Sequence, residues 1–120
     1  LVAQIISSRK VFEAFDIPIY DAPGFEADDI LGTIVEKFKK DKEINIIIAS
    51  GDMDTMQLVD DKKVQIFTLK KGITDTILYD EKAVVERFGF KPEFLPDYKG
   101  LRGDPSDNII GIKGISDHSS

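Results

Sequence analysis

The feature that most constrains the fold is an almost unbroken apolar run, Ile44–Ala49, which reads Ile-Asn-Ile-Ile-Ile-Ala. Such a run is typical of a strand that is buried on both faces of a parallel sheet. A strand-like run, Ile17–Tyr20, lies upstream of it. Between the two runs, apolar residues recur at helical spacing with lysines on the opposite side: Ile30, Leu31, Ile34, Val35 and Phe38. Strand, helix and strand predict a βαβ unit, and therefore an α/β domain with a mainly parallel sheet flanked by helices.

Further elements are predicted on both sides of this unit. Residues 1–15 carry apolar side chains at broadly helical spacing, which predicts an N-terminal helix. Val64–Leu69 and Ile73–Tyr79 are strand candidates, and the Lys-Lys-Gly segment between them suits either a hairpin or successive strands at a sheet edge. Repeats and low-complexity tracts are absent from the sequence, so we expect a single domain.

Specific residues mark the helix boundaries in the second half of the chain. Asp80 is a good N-cap for a helix over residues 81–88, and Gly89 is a good residue for ending that helix. A further helix is predicted to start near Pro92. Pro96 is compatible with this helix because proline is tolerated in a first turn.

Length and composition restrict the class of protein. The chain has 120 residues, of which 42% are hydrophobic, so it fits one small domain with its own core. Cysteine is absent, which excludes disulfides, a thiolate nucleophile and Cys-based zinc sites. No apolar run approaches the roughly 20 residues of a membrane span, and the N-terminal segment carries charges where a signal peptide has its apolar core. We interpret the protein as soluble and intracellular, and its start at Leu as that of a piece of a longer protein.

Seven carboxylates stand in three groups at the predicted ends of helices and strands. They are Glu26, Asp28 and Asp29; Asp52 and Asp54; and Asp104 and Asp107. One interpretation is structural: acidic side chains stabilise helix N-termini and tight turns, with Asp54 capping a short helix over Thr55–Val59. The other is a shared metal site, because Asp52 and Asp54 follow the carboxyl end of the apolar strand, where open α/β sheets bind ligands.

Metal binding accounts for the three groups together better than capping does. Carboxylates brought close together repel one another unless a counter-charge is present. Oxygen donors, in a chain with one His and no Cys, are those that Mg²⁺ and Mn²⁺ prefer. Without these seven charges the net charge is −6 + 7 = +1, so the acidity of the chain is compatible with a nucleic-acid partner. Two such ions about 3.5–4 Å apart promote phosphodiester hydrolysis.

Three segments, in this order, resemble the motifs of the 5′-nuclease domain of bacterial DNA polymerase I, in the flap endonuclease family. They are Gly24–Asp29, Ser50–Asp54, and Gly103–Asn108 followed by Gly111–Ile115. The resemblance implies a PIN-like 5′-nuclease fold. It divides the chain into a partial catalytic α/β domain, residues 1–100, and a part containing the third acidic motif and the start of a helix-hairpin-helix element, residues 101–120. The implied activity is structure-specific 5′-3′ exonuclease and flap endonuclease cleavage of DNA, leaving a 5′-phosphate and a 3′-hydroxyl.

The resemblance also implies roles for individual residues. The seven carboxylates would bind two Mg²⁺ or Mn²⁺ ions, with Glu26, Asp28 and Asp29 mainly around the first ion and Asp52, Asp54, Asp104 and Asp107 around the second. Asp28, Asp29, Asp52 and Asp54 would be the catalytic residues among them. The DNA-binding residues would be those of the glycine-rich hairpin: Gly111, Ile112, Lys113, Gly114, Ile115 and Ser116. This hairpin would grip the duplex backbone and hold a K⁺ ion, and its backbone N–H groups suit phosphate.

The sequence departs from the family pattern at both ends. The family has two further metal-binding aspartates and a basic arch in a part that precedes Leu1, and it continues as Gly-x-Lys-Thr where this chain has residues 116–119. His118 is interpreted as an exposed tail residue rather than a ligand. The resemblance implies a DNA partner that offers 5′ flaps, duplex ends or nicks, a polymerase domain in the parent protein, and a cytoplasmic, nucleoid-associated location in bacteria.

Two alternative functions fit parts of the sequence. Asp52–Thr55 matches the DxDxT motif of haloacid dehalogenase-like phosphatases, in which Asp52 would attack phosphorus and Asp54 would be the acid and base. Gly103–Asn108 is close to the acidic motif of that family, but a Ser-Gly step separates Asp52 from the strand and Gly24–Asp29 would have no role. The other alternative is a non-catalytic DNA-binding fragment, which accounts directly for the motifs that lie outside the chain.

Overall fold

A computed structural model of the protein describes residues 2–71 and 74–115. Its centre is a three-stranded sheet in the order β1 (Ile46–Ala49), β2 (Val64–Lys71) and β3 (Asp75–Tyr79). β1 and β2 are parallel, whereas β2 and β3 are antiparallel. The α/β class is therefore confirmed, but the sheet is mixed rather than mainly parallel.

In the described part of the chain, four α-helices and three short 3₁₀ turns surround the sheet. The helices are α1 (Val2–Ala14), α2 (Ala27–Phe38), α3 (Glu81–Phe88) and α4 (Leu95–Arg102). The 3₁₀ turns span Met53–Leu58, Pro92–Phe94 and Pro105–Asp107, and a second, antiparallel sheet pairs β4 (Gly103–Asp104) with β5 (Ile109–Ile110). None of the four helices has the length and apolar character that a bilayer span requires.

The predictions of the four α-helices are confirmed, including the boundary residues of α3. The Asp80 carboxylate accepts a hydrogen bond of 2.9 Å from the backbone N–H of Ala83, which caps α3. Gly89 ends the same helix in the left-handed conformation, with φ of 80°. The turn at Pro92 leads directly into α4, and Pro96 lies in the first turn of that helix.

One strand prediction is wrong and others are adjusted. Ile17–Tyr20 is exposed and irregular, so the βαβ unit that used it as a first strand does not form in the described residues. Pro18 is a physical reason, because it lacks the N–H that a sheet ladder needs. The later strand candidates are confirmed as the antiparallel pair β2 and β3, whereas Ile73 lies outside the described residues. β1 begins at Ile46 rather than Ile44.

The core lies on one face of the sheet. β2 sends Val64, Ile66 and Thr68 inward, at the two-residue spacing of a strand. These side chains are buried together with apolar residues from the other elements: Val35, Ile48, Met56, Val59, Tyr79, Val84 and Leu95. Ile47, on the other face of β1, is 61% exposed, so the prediction of a strand buried on both faces is wrong for the described part of the chain.

Candidate metal centre

The loop that follows β1 is organised by its own side chains. Asp52 is the N-cap of the 3₁₀ turn Met53–Leu58, and its Oδ1 accepts a hydrogen bond of 3.0 Å from the backbone N–H of Asp54. The buried Thr55 hydroxyl donates a hydrogen bond of 2.6 Å to the Asp52 carbonyl. The predicted helix over Thr55–Val59 with Asp54 as its N-cap is therefore wrong, because the turn starts two residues earlier and Asp52 caps it. Thr55 has a structural role in fastening this turn.

A second turn presents the carboxylates that follow α4. Asp104 closes β4 and caps the 3₁₀ turn Pro105–Asp107, with its Oδ1 accepting a hydrogen bond of 3.0 Å from the backbone N–H of Ser106. The Ser106 hydroxyl donates to the same oxygen. Asn108 then reverses the chain in the left-handed conformation, with φ of 57°. This local bonding fixes where the carboxylate of Asp104 points.

Carboxylates from the two turns converge. One carboxylate oxygen each of Asp54, Asp104 and Asp107 lies within 4.8 Å of the others, which is close enough for one ion to contact all three. Asp54 and Asp104 are partly buried, and Asp107 is exposed. These donors are all anionic oxygens, so the set fits a hard divalent cation such as Mg²⁺ or Mn²⁺.

The third group of carboxylates lies at the N-terminus of α2. Glu26 is the N-cap residue, and Asp29 Oδ2 accepts a hydrogen bond of 3.0 Å from the Glu26 backbone N–H. Asp28 is half-buried, and burial raises its pKa, with the charges of Asp52, Asp54 and then Glu26 and Asp29 raising it further. Asp28 is therefore electrostatically coupled to the loop after β1. Glu26 and Asp29 are exposed, and Asp29 stabilises the end of the helix.

Lys99 is the residue that sequence reasoning missed. Its ammonium group donates a hydrogen bond of 2.6 Å to Asp104 Oδ2 and contacts the Asp54 carboxylate, so it bridges two of the three converging side chains. Hydrogen bonding to Lys99, and then to Ser106, lowers the pKa of Asp104. Burial lowers the pKa of Lys99, but its bonds to Asp104 and Asp54 outweigh burial and the net pKa is raised. Its place in the last turn of α4, shortly before Asp104, was the only signal in the sequence.

An open cleft of about 750 Å³ lies beside these carboxylates. Asp52, Asp54 and Asp104 line it together with basic side chains: Arg87, Lys99 and Arg102. Arg87 is held in place by a hydrogen bond of 2.6 Å from Nη1 to the Tyr79 hydroxyl. Acidic and basic groups therefore face the same space, which suits a phosphate and the cations that accompany it.

The glycine-rich segment continues from β5. The backbone N–H of Ile112 donates a hydrogen bond of 2.8 Å to the Leu101 carbonyl, and that of Ile115 donates one of 3.1 Å to the Ile112 carbonyl. Gly114 is in the left-handed region, with φ of 95°, and Lys113 is exposed. Residues 111–115 thus form a tight turn, whereas Ser116 and His118 lie outside the described residues. The DNA-binding role of this segment stays a prediction.

The chain is similar to known proteins in sequence. The family described as "5′-3′ exonuclease, N-terminal resolvase-like domain" matches residues 1–89. DNA polymerase I of Caldicellulosiruptor bescii is 43% identical over 121 residues, which cover 100% of this chain and 14% of that protein. DNA polymerase I of Bacillus subtilis is 40% identical over 112 residues, which cover 93% of this chain and 12% of that protein. The chain thus spans about one seventh or less of the length of these relatives.

Solved structures show the same relationship. The T5 D15 protein, co-crystallised with metal ions, superposes with a TM-score of 0.75 and 27% identity, covering 90% of this chain and 39% of that one. A mutant of the T5 5′-exonuclease superposes with a TM-score of 0.75 and 28% identity, covering 90% and 43%. The mixed sheet with flanking helices is therefore the 5′-nuclease, PIN-like architecture. The chain belongs to the 5′-3′ exonuclease family, in the region of its N-terminal resolvase-like domain.

Proposed function

We propose that this chain is part of the catalytic domain of a structure-specific 5′-nuclease that hydrolyses DNA with two Mg²⁺ or Mn²⁺ ions. The observation that carries the proposal is the convergence of Asp54, Asp104 and Asp107, which come from two separate turns, within 4.8 Å of one another. Asp28 extends this acidic region toward the start of α2, since Asp52 and Asp54 both raise its pKa. Membership of the 5′-3′ exonuclease family supports the same function.

The position of each carboxylate determines which of the two ions it would bind. Asp54, Asp104 and Asp107 would hold one ion together with Asp52, and Glu26, Asp28 and Asp29 would hold the other. Bound divalent ions supply activation of water and stabilisation of the leaving oxygen in phosphodiester hydrolysis. The side chains of Asp52 and Asp104 would hold such ions at fixed positions, because each accepts a hydrogen bond of 3.0 Å from a backbone N–H. Water then attacks phosphorus in line, leaving a 5′-phosphate and a 3′-hydroxyl.

DNA is the proposed partner, bound through its backbone. Arg87 and Arg102 line the cleft beside the carboxylates, where they can contact phosphates next to the one that is cut. Residues 111–115 would grip the duplex farther away, and the helix-hairpin-helix with its K⁺ ion belongs to this proposal. We further propose 5′ flaps, duplex ends and nicks as substrates, a parent protein with a polymerase domain, and a cytoplasmic, nucleoid-associated location in bacteria. The polymerase relatives support this parent.

The proposal is tested with a DNA duplex carrying a labelled 5′ flap, incubated with the chain in Mn²⁺ or in Ca²⁺. Cleavage in Mn²⁺ that is lost in Asp52→Ala and Asp54→Asn is expected. Asp80→Asn is the matched control, because it removes one charge outside the three acidic groups and keeps an N-cap residue on α3. Binding in Ca²⁺ without cleavage in Mn²⁺ would instead identify a DNA-binding fragment of a longer nuclease.

The phosphatase alternative has a distinct signature. If Asp52 were a covalent nucleophile, the chain would hydrolyse a small phosphate ester without DNA, and beryllium fluoride would inhibit it. Asp52 instead follows a Ser-Gly step and caps a 3₁₀ turn, and the family match supports the nuclease. We therefore expect no turnover of a small phosphate ester by this chain.

A further inference from the structure

Lys99 occupies the space between two carboxylates of the candidate metal centre. Its ammonium group lies 2.6 Å from Asp104 Oδ2 and also contacts the Asp54 carboxylate. The Lys99 side chain is 26% exposed, and the carboxylate side chains are 24% exposed at Asp54 and 14% exposed at Asp104. The three groups thus form a partly buried network rather than a loose surface pair.

The same two carboxylates belong to the group whose oxygens lie close enough to share an ion. An ammonium group and a divalent ion repel each other strongly at contact distances, so they cannot both sit between Asp54 and Asp104. One of the two cations must therefore leave before the other takes its place. Because Lys99 has a long, flexible side chain and borders an open cleft, it can move aside without a change of fold.

We infer that Lys99 is a built-in counter-cation that holds Asp54 and Asp104 together in the metal-free protein and is exchanged for the divalent ion. The inference rests on the proposed metal centre and deepens it. Lys99 is a positioning residue in this role, since it acts through the two aspartates. In the metal-free protein, the positive charge of Lys99 offsets the repulsion between the two carboxylates. The same charge competes with the divalent ion and therefore weakens metal binding.

If Lys99 has this role, Lys99→Met should change stability and Mn²⁺ affinity in opposite directions. The metal-free protein should unfold at a lower temperature, because two close carboxylates lose their counter-charge. Mn²⁺ affinity should rise on the order of tenfold, the size expected when one positive charge is removed a few ångströms from a divalent ion in a solvated site. A purely structural lysine would behave differently, since its loss would lower both stability and Mn²⁺ affinity.

The experiment measures Mn²⁺ binding by calorimetry and thermal unfolding in EDTA for the wild-type chain and its variants. Lys99→Gln is the second variant, because it keeps a hydrogen-bond donor without the charge and protects the test against a misfolded Lys99→Met. Lys82→Met is the matched control: Lys82 is 83% exposed and pairs with Glu86 on α3, at 3.7 Å. Lys82→Met should leave Mn²⁺ affinity unchanged.

Tighter Mn²⁺ binding in Lys99→Met and Lys99→Gln, with lower stability in EDTA, supports the exchange. Unchanged or weaker Mn²⁺ binding in both variants overturns it, even if the wild-type chain binds Mn²⁺ and cuts DNA. A wild-type chain that binds no Mn²⁺ overturns both the exchange and the proposed metal centre. The first of these failures concerns Lys99 alone, so the two are distinguished without any activity assay.

Discussion

Gly111 lies so close to Arg102 that a β-carbon at position 111 would overlap the Arg102 carbonyl group. Gly103 is crowded in the same way, since a β-carbon there would lie 2.8 Å from the Ile109 carbonyl oxygen. It also has φ of 87°, which favours glycine. These contacts hold β4 against β5, and β4 carries Asp104. Two glycines therefore position a candidate metal ligand.

Gly111→Ala is expected to push β4 and β5 apart and displace Asp104, which weakens Mn²⁺ binding by about tenfold or more. Calorimetric titration with Mn²⁺ measures the effect. The control is Gly100→Ala on α4, where a β-carbon meets no other atom within 4 Å. Alanine favours a helix interior by roughly 0.5–1 kcal/mol, so this control should be as stable as the wild type or more stable. Equal Mn²⁺ affinities for the two variants would contradict the proposed link between glycine packing and the site.

Asp52→Asn is expected to weaken Mn²⁺ binding by about tenfold, because one negative charge next to the ions is lost. In metal-free buffer the same variant should be more stable by up to about 1 kcal/mol, because the repulsion between the carboxylates of Asp52 and Asp28 is removed. Asparagine can still accept the hydrogen bond from the Asp54 N–H that caps the turn. Calorimetry and thermal unfolding measure the two effects. An unchanged Mn²⁺ affinity would show that Asp52 is not a ligand.

Asp28→Asn is expected to change how the stability of the metal-free chain depends on pH. The pKa of Asp28 in the folded state is raised above its ordinary value of 3.8, so the folded state holds this proton more tightly than the unfolded state. The contribution of Asp28 to stability is therefore present at low pH and lost as pH rises through the interval above 3.8. Unfolding of both proteins across this interval should show a smaller decline for Asp28→Asn. Parallel curves would mean that Asp28 does not titrate abnormally.

Asp80→Ala is expected to destabilise the chain by about 1 kcal/mol, because the N-cap bond to the Ala83 N–H is lost from α3. Its Mn²⁺ affinity should equal that of the wild type, since Asp80 belongs to none of the three acidic groups. Urea unfolding and calorimetry on one preparation measure both quantities. This variant tests whether an aspartate that only caps a helix differs from the aspartates proposed to bind metal. A loss of Mn²⁺ affinity in Asp80→Ala would contradict that difference.

Local signals predicted the helices well and one strand badly. Asp80 and Gly89 act through hydrogen bonds and backbone conformation within a few residues, so their effect is readable from the sequence. Ile17–Tyr20 has strand-like composition, but a strand exists only where a neighbour pairs with it, and pairing is a property of the whole fold. A hairpin of β2 and β3 was one of two alternatives for the same reason, since the direction of β3 depends on the connection from β2.

The spacing of residues predicted the candidate site only as a set of carboxylates, and their grouping around two ions came from the family resemblance. The sequence places Asp104 and Asp107 close together, but it does not show that Asp54, fifty residues earlier, meets them. Asp52 was expected to be a metal ligand or, in the phosphatase alternative, a nucleophile, whereas the structure shows that it caps the turn that orients Asp54. The role of Lys99 could not be predicted from the sequence, because it depends on Asp54 and Asp104, which approach Lys99 only in the folded chain.

The segment that joins β1 to β2 has a consequence for the kinetics of the fold. It carries Asp52 and Asp54, and the two strands that it joins are paired along their length, from Ile46 with Val64 to Ala49 with Phe67. Any opening fluctuation that separates these strands also disperses the carboxylates, so an ion bound to them must be released first. Mn²⁺ or Mg²⁺ should therefore raise the free energy of opening of β1 and β2 by RT ln(1 + [L]/Kd) and slow their amide hydrogen exchange by the factor 1 + [L]/Kd, while exchange in α1, which buries no residue, is unchanged.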